Sequence, residues 1–183
     1  SHIGGRGARL GADHRHAHIN LQGGQVSSLA DSVIVNVTVT EDQRARLIAM
    51  SGTSGGDGAP VVLTLLFGGL RDLASNLNQL QEQILVAEQA DVVPPRLVSV
   101  VLNYGTNTMY VTASETIDCT PFSLLQLNAV HLSTTAHNDR FIALTQAHVQ
   151  PLDGVRFTVV LDETTRVLAL SYSNTTGGDG TPL

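Results

Sequence analysis

Three histidines spaced two residues apart, His14, His16 and His18, lie in the stretch GADHRHAHIN. On a β-strand alternate side chains share a face, so the three imidazoles would form one row able to start a zinc or copper site. Asp13 is the one further ligand type beside them. A second chemical pattern is GTSGG at 52–56, which matches the G-x-S-x-G signature of serine hydrolases with Ser54 as nucleophile. That chemistry requires the serine on a strand-to-helix turn and a histidine base within hydrogen-bond reach. Oxygen ligands for Ca²⁺ are offered by Asp57 and Asp179 in two GGDG turns, and by Asp72, Asn76, Asp91, Glu115 and Asp118 near the expected domain ends. Two sequons, Asn36-Val37-Thr38 and Asn174-Thr175-Thr176, could carry N-glycans. Cys119 is the single cysteine, which excludes an internal disulfide and a cysteine metal box, and it reads as a small, half-buried apolar residue.

The 183 residues hold one sizeable or two small domains. Apolar residues make up 42% and charged residues 14%, the balance of a packed, β-rich chain rather than a disordered one. A formal charge of −6, with ten Arg and Lys spread thinly, argues against a nucleic-acid or anionic-membrane surface. No apolar run approaches the roughly 20 residues that cross a bilayer.

The chain contains its own control, because part of it is repeated. SGTSGGDGAP at 51–60 returns as SNTTGGDGTP at 173–182, a shift of 122. Upstream at the same shift, residues 32–50 lie over 154–172. With a one-residue slip, INLQGGQV at 19–26 lies over IALTQAHV at 142–149, and His2-Ile3 pairs with His131-Leu132. Val33, Val35, Val37 and Val39 alternate in step with Val155, Phe157, Val159 and Leu161, which predicts a half-buried strand in each copy. Thr40 as N-cap, followed by acidic residues, predicts a short helix next. Its counterpart DETTRVLALSY is richer in β-formers and leaves a strand open as the alternative. Further strands are expected at 61–67 and 84–89 around a turn at 71–76, and a hairpin around Tyr104–Asn107. Pro94 and Pro95 make DVVPPR a stiff extended linker.

Set against the repeat, the chemical patterns weaken. His14 meets His137, His16 meets Asp139 and His18 meets Phe141, so a metal cage required by the fold would appear in only one copy. The favoured reading of the row is a polar edge strand, protected against unwanted pairing. Ser54 meets Thr176, and the expected order runs from helix into strand, so the favoured reading there is a turn needing positive φ at Gly55, Gly56 or Gly58. The carboxylates are read first as Asx-turn caps, with Ca²⁺ stiffening kept open.

The quoted pieces resemble known repeats. PPRLVSVVLNYGTNTMYVTASETID is similar to the opening of bacterial-type Ig-like repeats, and LRDLASN resembles their closing turn, with Ser75 where glycine is usual. The long repeat with SGTSGGDG resembles giant tandem Ig-like or cadherin-like ectodomain proteins, including surface and flagellar glycoproteins and mastigoneme shafts. The resemblance implies an all-β chain of tandem Ig-like antiparallel β-sandwiches with a short helix per repeat. Residues 1–92 would be the C-terminal part of one repeat and 93–183 the N-terminal part of the next. The first copy lacks a counterpart of 96 to about 128, so the expectation is a window of a longer array. The implied function is structural and non-enzymatic, a link in an extracellular fibre, coat or flagellar appendage. Its partners would be neighbouring repeats, other copies and N-glycans at Asn36 and Asn174, with an interdomain linker at Asp91, Pro94 and Pro95. The alternative is a cell-surface adhesin binding carbohydrate or a protein, with Ca²⁺ as its one candidate cofactor. The absence of Trp, and aromatics at 4%, count against a sugar platform.

Overall fold

The structure is a computed structural model and describes residues 18–27, 31–121, 124–134 and 141–180. It is mainly β, in several small antiparallel sheets with two helices. The chain divides between Ala90 and Asp91 into two compact units, each described by itself.

In the first unit β1 (Gln25–Val26) pairs antiparallel with β2 (Val37–Thr38), and α1 (Glu41–Ala49) follows directly. Thr40 starts the helix with a reciprocal cap. Its N–H donates to Gln43 Oε1 at 2.8 Å, and Gln43 N–H donates to Thr40 Oγ1 at 3.3 Å. Glu41 and Asp42 complement the positive end of the helix dipole. Gln43 is buried and also donates through Nε2 to the carbonyls of Asn20 and Gln22, at 2.9 and 3.0 Å, which pins the preceding loop to the helix.

A turn then leads into a separate hairpin of β3 (Val62–Leu65) and β4 (Gln81–Leu85). The expected strand at 84–89 thus begins three residues earlier and ends at Leu85. Between the two strands Arg71 bridges Leu77. The Asp72 carboxylate accepts from both the backbone and side-chain amides of Asn76 at 2.8 Å, which lets Ser75 hold a left-handed φ of 70°.

The sequence expectation of a half-buried strand over Val33–Val39 is corrected in this unit. Only Val37–Thr38 pair, and Val33 and Val37 are 101% and 47% exposed. Alternation buries a face only where something packs against it, and among the described residues β2 has one neighbour, β1. The buried side chains described in this unit are polar, Gln43 and Ser51.

The second unit is built differently. Its four-stranded antiparallel sheet has the order β5 (Leu97–Asn103), β6 (Thr108–Ile117), β10 (Gly154–Val160), β9 (His148–Val149). The expected hairpin is present, with the turn at Tyr104–Asn107 and Asn107 at φ 58°. Asn and Asp tolerate that conformation best among residues with a Cβ. β7 (His131–Ser133) and β8 (Phe141–Ala143) form a second pair, with the His131 and Phe141 rings stacked at 5.2 Å. The segment left open between helix and strand is a helix, α2 (Glu163–Ser171), because Asp162 caps it by accepting from Thr165 N–H at 3.1 Å.

Among the described residues every buried apolar side chain lies in this second unit. Met109, Val111, Cys119, Leu144, Val149, Val159 and Leu161 form one cluster. Full burial of each large aliphatic side chain stabilises by roughly 1.5–3 kcal/mol, so the core that holds this stretch together is here. The predicted inward face of Val155, Phe157, Val159 and Leu161 is observed most clearly at Val159 and Leu161, which are 1% and 2% exposed.

Candidate functional site

The feature common to both units is a strand pair, a helix and a turn. β1 and β2 pair Gln25 with Thr38 and Val26 with Val37. β9 and β10 pair His148 with Val160 and Val149 with Val159. Shifting the first set by 122 on the later strand and 123 on the earlier one gives the second set, including the one-residue slip read from the sequence. α1 and α2 are again 122 apart and have nine residues each.

The turns after the helices share a set of hydrogen bonds. Ser51 and Ser173 are buried, and each hydroxyl lies 2.7 Å from the threonine hydroxyl two residues on, Thr53 or Thr175. Each also accepts from that threonine's N–H at 3.2 Å. The carbonyls of Ser51 and Ser173 accept from Gly58 and Gly180 at 3.1 Å. Gly55 and Gly177 take φ of 92° and 97°, and Gly58 and Gly180 both take 86°. Gly56, the remaining glycine of the expected set, is required for space instead. A Cβ there would sit 2.1 Å from the Ser51 carbonyl oxygen, and at Gly178 1.9 Å from that of Ser173.

This arrangement is a hydrogen-bonded corner and not a nucleophile elbow. Ser54 is exposed, and it follows a helix rather than a strand. The serine that organises the corner is Ser51, which lies outside the G-x-S-x-G pattern although Ser51/Ser173 and Thr53/Thr175 are identical in the two copies.

The other singled-out residues are dispersed. His14 and His16 lie outside the described residues, and His18 is exposed in a loop. Among the described residues no three His, Cys, Asp or Glu side chains gather to hold an ion. The aspartates serve as local acceptors: Asp57 for Ala59 N–H at 2.8 Å, Asp91 for Val93 N–H at 3.0 Å, and Asp118 for Thr120 N–H at 3.0 Å. Asp153 ties the end of β6 to the start of β10, accepting from Cys119 N–H at 2.7 Å and from the Thr120 hydroxyl at 2.8 Å. Burial, helped by the Asp153 and Asp118 charges, pushes the Cys119 thiol up and keeps it protonated. Its hydrogen bonds from Asn76 hold Asp72 below the ordinary carboxylate range.

Asn36 is exposed beside β2 while its carbonyl accepts from Ser27 N–H at 3.0 Å. Asn174 is exposed at the head of the second corner. Pro94 and Pro95 are exposed, in the segment between β4 and β5. No described helix is long and apolar enough to cross a membrane. A groove of about 350 Å³ in the second unit is lined by aliphatic and amide side chains and the Thr145 hydroxyl, with His148 as its one titratable group. Comparison with known protein families, curated proteins and solved structures finds no match to this chain.

Proposed function

We propose that the chain is a structural, non-catalytic component of an extracellular assembly. In this reading residues 1–92 and 93–183 are parts of consecutive Ig-like β-sandwich repeats in a fibre, coat or mastigoneme-like surface appendage. The observation that carries the reading is the recurrence of one strand pair, helix and corner at a spacing of 122 residues. Arrays of such units derive their stability from each unit and its immediate neighbours, which suits a mechanical role. The exposed Asn36 and Asn174 give sites for sugar, and Asp91, Pro94 and Pro95 supply a short linker of restricted backbone freedom.

Secretion of the 183-residue chain from a eukaryotic host tests the setting. Deglycosylated peptides should carry the Asn-to-Asp mass change at residues 36 and 174. Head-to-tail concatenation of the repeat tests the architecture, with particle length in electron micrographs expected to grow linearly with copy number. Unmodified asparagines, together with particles that stay compact as copies are added, would overturn the reading.

A further inference from the structure

The two copies of the strand pair differ in what lies on their far edge. In the second unit β10 has β9 on one side and β6 on the other. In the first unit β2 has β1 alone among the described residues. The consequence is visible in exposure at corresponding positions. Val149 and Val159 are 5% and 1% exposed, whereas Val26 and Val37 are 64% and 47% exposed. Four members of the second unit's core, Leu144, Val149, Val159 and Leu161, thus have apolar counterparts in Leu21, Val26, Val37 and Val39. The other three, Met109, Val111 and Cys119, come from the β5–β6 hairpin and the residues just after it.

Residues 32–39 contain no charged side chain, and the edge carries none of the charges or prolines that normally block strand addition. We infer that the edge of β2 opposite β1, unpaired among the described residues, is a docking site for a second hairpin of the β5–β6 kind, belonging to another repeat, which completes the first unit's core. The register follows from the second unit, where β10 pairs Phe157 with Val111, Thr158 with Tyr110, Val159 with Met109 and Val160 with Thr108. Transferred by 122 residues, Val35 meets the incoming Val111, Asn36 the Tyr110, Val37 the Met109 and Thr38 the Thr108. Asn36 falls on the face opposite Val35 and Val37, so a sugar there leaves the docking edge open. The inference rests on the repeat correspondence and not on the extracellular setting, so glycan or particle-shape results can fail without it.

The test uses the whole chain and a synthetic peptide of residues 93–120 in which Cys119 is replaced by serine. Amide exchange at 33–39 is expected to slow about tenfold when the peptide is held at about ten times its dissociation constant, with 154–160 unchanged. In a second measurement the chain carries Val37→Cys and Cys119→Ser, and the peptide carries Met109→Cys or Tyr110→Cys. Opposed residues on paired strands lie about 4.5–5.5 Å apart, within disulfide range, so the 37–109 bond should form and the 37–110 bond should not. Unchanged exchange at the highest soluble peptide concentration, slowing confined to 62–85 or 97–103, or equal yields of the two disulfides would overturn the proposal. So would slowing at 33–39 that follows protein concentration without peptide, which would mean that copies pair through their own edges.

Discussion

At the scale of single residues the two corners make a sharp test, because adjacent glycines are needed for different reasons. Gly177 has φ 97° and room beside it, the nearest atom to an added Cβ being Leu170 Cδ2 at 3.9 Å. Gly177→Ala should therefore cost only the backbone preference, about 1–2 kcal/mol. Gly178 has no such room, since the added carbon would meet the carbonyl oxygens of Ser173 and Leu170 at 1.9 and 2.7 Å. Gly178→Ala should cost roughly 3 kcal/mol or more, in the range reserved for steric overlap at a packed site. Urea unfolding of the two variants checks the order, and equal costs would contradict this geometry. The glycines were legible in the sequence as a turn; which of them needs φ and which needs space was not, because spacing says nothing about a carbonyl approaching from the preceding helix.

Among the elements, the two helices begin with caps of different chemistry. α1 starts at Thr40, which does not titrate, and α2 starts at Asp162. Hydrogen bonds from the Thr165 hydroxyl and N–H hold the Asp162 carboxyl below its ordinary value. The Arg166 guanidinium does the same for Glu163. A carboxylate with a lowered folded-state pKa stabilises fully above its unfolded value of about 3.9 and loses that contribution as pH falls through the folded value. Acid should thus loosen the start of α2. Asp162→Asn, which still caps, should remove the Asp162 share of that acid dependence and leave that of Glu163, while changing neutral stability little, and Asp162→Ala should cost about 1 kcal/mol at neutral pH. Denaturation followed between pH 5 and pH 2 measures both; an unaltered acid limb in the asparagine variant would refute the assignment. The α1 start was legible because Thr40 is a favoured N-cap residue followed by Glu41 and Asp42; the return bond to Gln43 was not. α2 stayed ambiguous because Thr164, Thr165 and Val167 favour strands, and the cap at Asp162 outweighs that local preference. The strand over Val33–Val39 was misread for a related reason: alternation reports which face can be buried, not whether a neighbour is present.

For the molecule as a whole, protection is unevenly placed. The buried aliphatic cluster belongs to β6, β9, β10 and the residues around them, while Val62, Leu63, Ile84 and Leu85 of the other hairpin are 39–69% exposed. Hydrogen exchange should be slowest at Met109, Val111 and Val159 and fast throughout β2, β3 and β4, because local opening is cheap where few apolar groups are covered. Comparable rates in both units would show that this uneven distribution of buried groups does not govern opening. The pairing within the second unit also bears on how the chain is made. β6 meets β5 across a four-residue turn, but its other edge waits for β10, where Val159 lies opposite Met109. The Tyr104 hydroxyl then donates to the Ala169 carbonyl at 3.3 Å. At about 5–20 residues per second, the roughly 45 residues between hairpin and helix take some 2–9 s to synthesise. Throughout that interval a newborn chain leaves the ribosome with a sticky, half-covered hairpin, a natural client for the chaperones that shield emerging polypeptides.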